Sequence, residues 1–190
     1  MTPRDGAAAS GLTPTADMLR ERAKGLIPFL LEQQPKHLAA RRVTEDTIAQ
    51  LRAAGLFRVL QPKRYGGYEM SPSVFTDVLI TLAKADPSVG FVYGILGVHN
   101  FHMGFYDERA ALDVWGADQD VLVASPYSPM GKAVRVEGGF RMSGRWSFSS
   151  GCDNCDWTFL SGVIQGEEHV PLVQRMHAFL IPRQDARIVD

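Results

Sequence analysis

Near Gly116 the hydrophobic rhythm of this 190-residue sequence changes, and that change limits the fold more than any other feature. Before it, apolar residues recur at helical spacing. After it, β-branched and aromatic residues gather in short runs separated by turn residues. Helices first and strands afterwards predict an α+β protein rather than alternating βαβ units around a parallel sheet. The boundary falls near residue 118, with a helical domain over 16–117 and a β-domain over 118–190. Residues 1–15 form a small-residue tail expected to be disordered.

Within the helical part, Met18, Leu19, Leu26, Ile27, Leu30 and Leu31 predict a helix over Ala16–Gln34, weakened in the middle by Gly25 and Pro28. Thr44 is placed to cap a helix running to Ala54, with Gly55 as its stop. LFRVLQPKRYGG reads as an extended stretch closing in a Gly66-Gly67 turn. Ser71-Pro72 opens a helix whose buried stripe is Val74, Phe75, Val78, Leu79 and Leu82. Asp86-Pro87-Ser88 ends it and starts another, Val89 to about Gly104, which is apolar nearly all round and therefore central. An amphipathic helix, Asp107–Trp115, follows.

The β part carries strands in VLVAS, AVRVEGGFRMSG, WSF, DWTFLSGVI and RMHAFLIPR, expected to be mostly antiparallel, with Gly138-Gly139 as a hairpin turn. Five or so strands would leave sheet edges and one face exposed, so the sheet expects a partner chain or further sequence against it.

Hydrophobic residues at 45% and charged residues at 22% are the balance of an ordinary globular protein. A net charge of −1 gives no general pull toward nucleic acid or anionic membrane. There is no apolar run of the roughly 18 residues that a membrane span needs, and no apolar segment of a secretory signal at the start. The expected location is the cytoplasm.

Three groups of residues carry possible chemistry. His99 and His102 are three apart and share a helix face, which suits a buried hydrogen-bonded pair, a substrate contact or a metal. No nearby carboxylate or cysteine completes a metal set. Cys152 and Cys155 form a single C-x-x-C without the further ligands of a zinc site or the βαβ setting of a redox dithiol, so packing is the expected role. Ser125, Ser128, Ser143, Ser147, Ser149 and Ser150 make a hydroxyl cluster in strand-and-turn segments, where serines commonly satisfy backbone groups. There is no nucleophile elbow, no G-x-G-x-x-G and no P-loop.

LQPKRYGGYEMSPSVF, GVHNFH, ASPYSPMG and WSFSSGCDNCDW, in this order and spacing, resemble the oxygenase component of two-component flavin-dependent monooxygenases. That group includes the 4-hydroxyphenylacetate 3-hydroxylases and the 3-HSA hydroxylases and is built on the acyl-CoA dehydrogenase fold. The resemblance runs from about Leu26 to Asp190. It implies an N-terminal helical domain, an incomplete middle β-domain, and a C-terminal four-helix bundle, the main tetramer contact, lying outside this chain.

The resemblance further implies reduced FMN or FAD delivered by a separate flavin reductase, and O2 activated as a C4a-hydroperoxide that hydroxylates a phenolic or related aromatic substrate. Ser150 falls at the serine beside flavin N5, and Phe148 where relatives often place a Trp near the isoalloxazine ring. Ser125, Tyr127 and Ser128 fall in the segment lining the flavin. His99 falls at the histidine that contacts the phenol and orients or ionises its hydroxyl. Asn154 stands where the family carries a histidine. Implied catalytic residues are thus Ser150, His99 and Ser125, with no metal. Two alternatives stand beside this reading. One is an acyl-CoA dehydrogenase-type oxidoreductase, against which SSGCD replaces the family's WITN-like stretch. The other is an inactive fragment or assembly module.

Overall fold

A computed structural model describes residues 13–189. The tail over 1–15 therefore lies largely outside the described residues. Thr15 itself caps the first helix, with Met18 N–H donating to Thr15 Oγ1 at 3.2 Å.

The expected single helix over Ala16–Gln34 is two helices, α1 (Ala16–Gly25) and α2 (Ile27–Ala40). Pro28 lacks an N–H and its ring cannot sit beneath a preceding turn, so the chain breaks at Leu26 and Pro28 falls in the first turn of α2. α2 then continues through the exposed Pro35, beyond the expected end. What holds it there is tertiary. Buried His37 places Nδ1 2.7 Å from Asp86 Oδ2 and Nε2 2.9 Å from Thr47 Oγ1.

α3 (Glu45–Ala53) ends at Ala54, and the stretch after it is not extended. It forms two 3-10 turns, Leu56–Arg58 and Lys63–Tyr65. Leu56, Phe57, Val59, Leu60 and Gln61 are buried there, and local bonding supplies partners for a backbone that no sheet reaches. Tyr68 N–H donates to Arg58 O and Met70 N–H to Val59 O, strapping the loop onto itself.

α4 (Pro72–Ala85) starts at the Ser71 cap and buries Val74, Phe75, Val78, Leu82 and Ala85. Asp86 is the residue on which the helical part turns. Its Oδ1 accepts from Ser88 N–H at 2.9 Å and Val89 N–H at 3.4 Å, capping α5 (Pro87–His102), while Oδ2 holds His37. α4 and α5 pack closely because Gly90 has no side chain. A Cβ there would lie 2.4 Å from that of Ala83 and 2.7 Å from its Cα. Tyr93 OH donates to Leu56 O at 3.1 Å and Asn100 Nδ2 to Phe57 O at 2.7 Å, fixing the rest of α5 against the first 3-10 turn. A 3-10 turn, Met103–Phe105, and α6 (Glu108–Trp115) complete the helices before the sheet.

The sheet contains β1 (Val123–Ala124), β2 (Gly131–Val136), β3 (Gly139–Ser143), β4 (Trp157–Ile164) and β5 (Met176–Pro182), with the four-residue α7 (Leu172–Arg175) just before β5. The α+β class stands, but the sheet is mixed rather than mostly antiparallel. β4 is central, pairing antiparallel with β5 along its length and parallel with both β1 and β2. Among the described residues only the β2–β3 hairpin and the β4–β5 pair are antiparallel, and the hairpin turns at Glu137-Gly138. WSF is not a strand. Trp146 donates its indole N–H to Ser161 O at 2.7 Å, which draws this segment across the sheet instead of along it.

Val134, Val136, Phe140 and Met176 are exposed on the sheet and Leu172 and Val173 on α7. Because Phe140 pairs with Arg135, the exposed apolar residues lie on both faces of the sheet rather than on the one face expected. The helical and β parts are tied by Arg58 to Asp120 at 2.7 Å, Gln61 Nε2 to Gln119 O at 3.0 Å and Arg52 to Asp156 at 3.2 Å.

Candidate functional site

The last turn of α5 brings His99 and His102 to one face, where the chain leaving β1 passes with Ser125 and Tyr127. His99 is fully buried, and its Nε2 lies 3.0 Å from Ser125 Oγ, itself buried. The His99 Nδ1 faces His102 Nδ1 at 3.3 Å. The Tyr127 hydroxyl sits 3.5 Å from the first Nδ1 and 3.4 Å from the second. Two segments therefore converge on one imidazole whose two nitrogens both have polar partners.

Aromatic rings enclose this group. Phe159, from the centre of β4, meets the His99 ring edge-on at 5.7 Å, and Tyr106 stacks on Phe159 at 4.9 Å. On the outer side Phe101 and Phe105 form an exposed edge-to-face pair at 5.0 Å. Such apolar walls disfavour charge. Burial, with a smaller contribution from His102, lowers the His99 pKa to about 4, so it is a neutral acceptor and donor at neutral pH. His102 is lowered by burial too. Tyr127 is raised because its hydroxyl end is desolvated, an effect partly offset by a hydrogen bond with Ser125.

The depressed His99 pKa makes acid stability testable. Unfolded, this histidine takes a proton near 6.5; folded, only near 4. Its contribution to stability is therefore full above pH 6.5 and is lost as pH falls from there through 4. The loss amounts to roughly 3 kcal/mol at about 1.4 kcal/mol per pKa unit. Urea midpoints measured across this window are expected to fall steeply in the native protein and more shallowly in His99→Asn.

The other sequence-derived candidates flank this group without joining its hydrogen bonds. Ser150 is half-buried in the turn Ser149–Asn154, where Cys152 N–H donates to Ser149 O and Asn154 N–H to Gly151 O. Gly151 has φ +79° and packs on α5. A Cβ there would lie 2.9 Å from Leu96 Cδ2, one turn before His99. The Ser150 turn is thus seated on the helix segment that carries the histidine. Phe148 is 93% exposed and has φ +60°, a conformation that bulky side chains rarely adopt. Ser128 is exposed, and its carbonyl accepts from Met130 N–H.

Both cysteines are free thiols. Burial pushes Cys155 up to about 12, and burial with Asp153 raises Cys152, so neither is a nucleophile at neutral pH. Cys152 O instead accepts from Arg183 Nε at 3.0 Å, a scaffold role.

An exposed flat ring at Phe148, hydroxyls at Ser149 and Ser150, and an exposed aromatic at Tyr127 suit a planar heteroaromatic cofactor in kind: apolar contact for a ring face, a few donors at its edge. Sequence reasoning gave His102 no role beyond its spacing and did not find Phe159 or Tyr106. The three-residue interval was the only local signal for His102. Nothing in the sequence announces that β4 passes beneath α5. A groove of about 900 Å³ opens at the other end of α5, lined by Leu38, Arg42, Phe91 and the His37–Asp86 pair, away from this group.

Residues 13–104 match the family described as acyl-CoA dehydrogenase, N-terminal domain. Among curated relatives, the chain is 41% identical over 171 residues to the oxygenase subunit HsaA of a flavin-dependent monooxygenase from Rhodococcus jostii, covering 90% of this chain and 44% of that protein. It is 35% identical over 125 residues to the oxygenase component of an FADH2-dependent resorcinol hydroxylase from Rhizobium, covering 66% and 31%. The crystal structure of 3-HSA hydroxylase from Rhodococcus sp. RHA1 superposes with a TM-score of 0.85 at 39% identity, covering 91% of this chain and 45% of that one. The chain spans less than half the length of each.

Proposed function

For a chain that is a relative of the oxygenase components of flavin-dependent monooxygenases and shares their acyl-CoA dehydrogenase fold, we propose a part in hydroxylating a phenolic or related aromatic substrate with reduced flavin and O2. The observation that carries this reading is His99, buried and neutral, with Ser125 on one ring nitrogen and aromatic rings around it. A phenol set against this group meets apolar walls for its ring and a hydrogen-bonding pair for its hydroxyl.

Bound reduced FMN or FAD supplies the activation of O2, and a separate reductase supplies the reduced flavin. Phe148 and Ser150 would hold that flavin, Phe148 by apolar contact with its ring system and Ser150 Oγ by a hydrogen bond to its N5 proton. Tyr127 and Ser128 would line the same cofactor, and Ser125, bonded to His99, would lie at its edge. Phe159 and Tyr106 close the buried side of His99 to water, and excluding water favours oxygen transfer over release of hydrogen peroxide. The helical domain over 16–117 and the β-domain over 118–190 each supply part of the site. Exposed apolar side chains on both faces of the sheet fit an assembly of several copies, and free thiols fit the cytoplasm.

The test is an aerobic assay with reduced FMN or FAD and a panel of phenols, scoring hydroxylated product against peroxide. Ser150→Ala is expected to shift the ratio toward peroxide by on the order of tenfold, the effect of one hydrogen bond worth about 1.4 kcal/mol. Product at the native ratio in Ser150→Ala would remove Ser150 from the account.

A further inference from the structure

The hydroxylase reading leaves His102 without a task. We infer that His102 is the outlet of a proton relay that starts at Ser125 and passes through His99, with Tyr127 as the positioning residue that keeps the two imidazoles in register. The inference rests on that reading for its substrate but on the side-chain geometry for its path.

Accessibility rises outward from the buried Ser125–His99 pair. Ser125 and His99 are buried, His102 is half-buried, and Tyr127 is 61% exposed. The links are 3.0 Å from Ser125 Oγ to His99 Nε2 and 3.3 Å from His99 Nδ1 to His102 Nδ1. Tyr127 spans the second link, its hydroxyl near both Nδ1 atoms. Two imidazoles meeting Nδ1 to Nδ1 hydrogen-bond only when one carries the proton there and the other does not. With the proton on His99 Nδ1, His99 Nε2 is free to accept from Ser125.

The protons then balance. A phenolic hydroxyl gives its proton to Ser125 Oγ as Ser125 gives its own to His99 Nε2. His99 passes its Nδ1 proton to His102 Nδ1, and His102 releases its Nε2 proton to water. A phenolate, the stronger ring nucleophile, is left, and one proton has reached solvent. The reverse passage returns a proton to the product phenolate and restores both tautomers. The titratable groups facing the relay are Tyr127 and, across Phe159, Tyr106; no acid, lysine or arginine joins these contacts among the described residues. His99 is too desolvated to store charge near neutral pH, so a proton arriving at one nitrogen must leave from the other.

Two measurements on the full chain test the relay. In turnover with reduced flavin, O2 and a phenol, His102→Ala is expected to lower kcat about tenfold, less than the roughly hundredfold loss of a group that exchanges the proton directly with the reacting centre, with KM changed less than about twofold. Added imidazole is expected to restore the rate. An unchanged kcat, or a loss that imidazole does not restore, overturns the relay. The second measurement is nitrogen-15 NMR of the imidazoles without flavin. The relay predicts a protonated Nδ1 on His99, a bare Nδ1 on His102, and a His99 midpoint that rises in His102→Gln. Midpoints that titrate independently overturn it. If the native protein hydroxylates no phenol, the hydroxylase reading fails, and the NMR result alone decides the relay.

Discussion

Replacing His99 by asparagine is expected to cut phenol hydroxylation about a hundredfold or more, the usual scale for losing a positioned acid–base group. Reduced-flavin binding is expected to stay within about twofold, because His99 is fully buried behind Ser125 and Tyr127 and is not itself one of the residues assigned to the cofactor. Asparagine is close enough in size to avoid a large cavity but cannot relay a proton between two ring nitrogens. Quantifying product at saturating reduced flavin, beside a flavin titration of the same variant, separates the two effects. Full hydroxylation by His99→Asn would place the phenol elsewhere. Parallel loss of flavin binding would mean that the variant is misassembled, which urea unfolding detects independently.

Asp86→Ala carries the largest expected stability effect. The carboxylate caps α5 with one oxygen and binds buried His37 with the other, so one substitution undoes both. Loss of an N-cap costs about 0.5–2 kcal/mol. Leaving a buried polar ring without its partner costs about 1–3 kcal/mol more. A combined loss of about 3 kcal/mol is expected in urea unfolding. Asp86→Asn keeps an oxygen for the cap and is expected to lose less than half as much. A change within about 0.5 kcal/mol for the alanine variant would contradict the description of Asp86 as the junction of α2, α4 and α5. Because α5 also carries His99 and His102, Asp86→Ala is expected to lower hydroxylation in proportion to the folded fraction, with no change in the product-to-peroxide ratio.

Much of this architecture is local and therefore legible. Ser71-Pro72 and Asp86-Pro87 punctuate the helices through caps and a missing N–H, and both open helices where expected. The stripe on α4 follows from periodicity alone. What escaped depends on distant partners. Pro28 reads as a weak spot rather than a new start, and the expected helix stops at Gln34. His37 reaching Asp86 across 49 residues overrides that stop. The 56–67 stretch looks extended because buried residues at Leu56–Gln61 give no helical period, yet strapping by residues 68–70 replaces sheet bonding. Parallel pairing of β4 with β1 and β2 has no signature in short strands, since pairing sense is set by the connections.

The site divides in the same way. His99 and Ser125 were named on motif resemblance, and the fold brings them within 3.0 Å. Phe159 and Tyr106 complete the aromatic wall only through the meeting of β4 with the end of α5. Phe148 and Ser150 sit on a turn whose seat against Leu96 depends on the backbone of Gly151. No hydropathy pattern encodes that contact.

The central claim is that reduced flavin is held by the turn around Ser150 beside the His99 group. Anaerobic titration of the protein with reduced FMN and reduced FAD, followed by quenching of its aromatic fluorescence, tests it most directly. The account predicts saturable binding of at least one of them, weakened about tenfold, or about 1.4 kcal/mol, in Ser150→Ala. It also predicts weaker binding in Phe148→Ala, with no change in His102→Ala. Saturable binding that neither Ser150→Ala nor Phe148→Ala disturbs, or no saturable binding of either flavin, would contradict it.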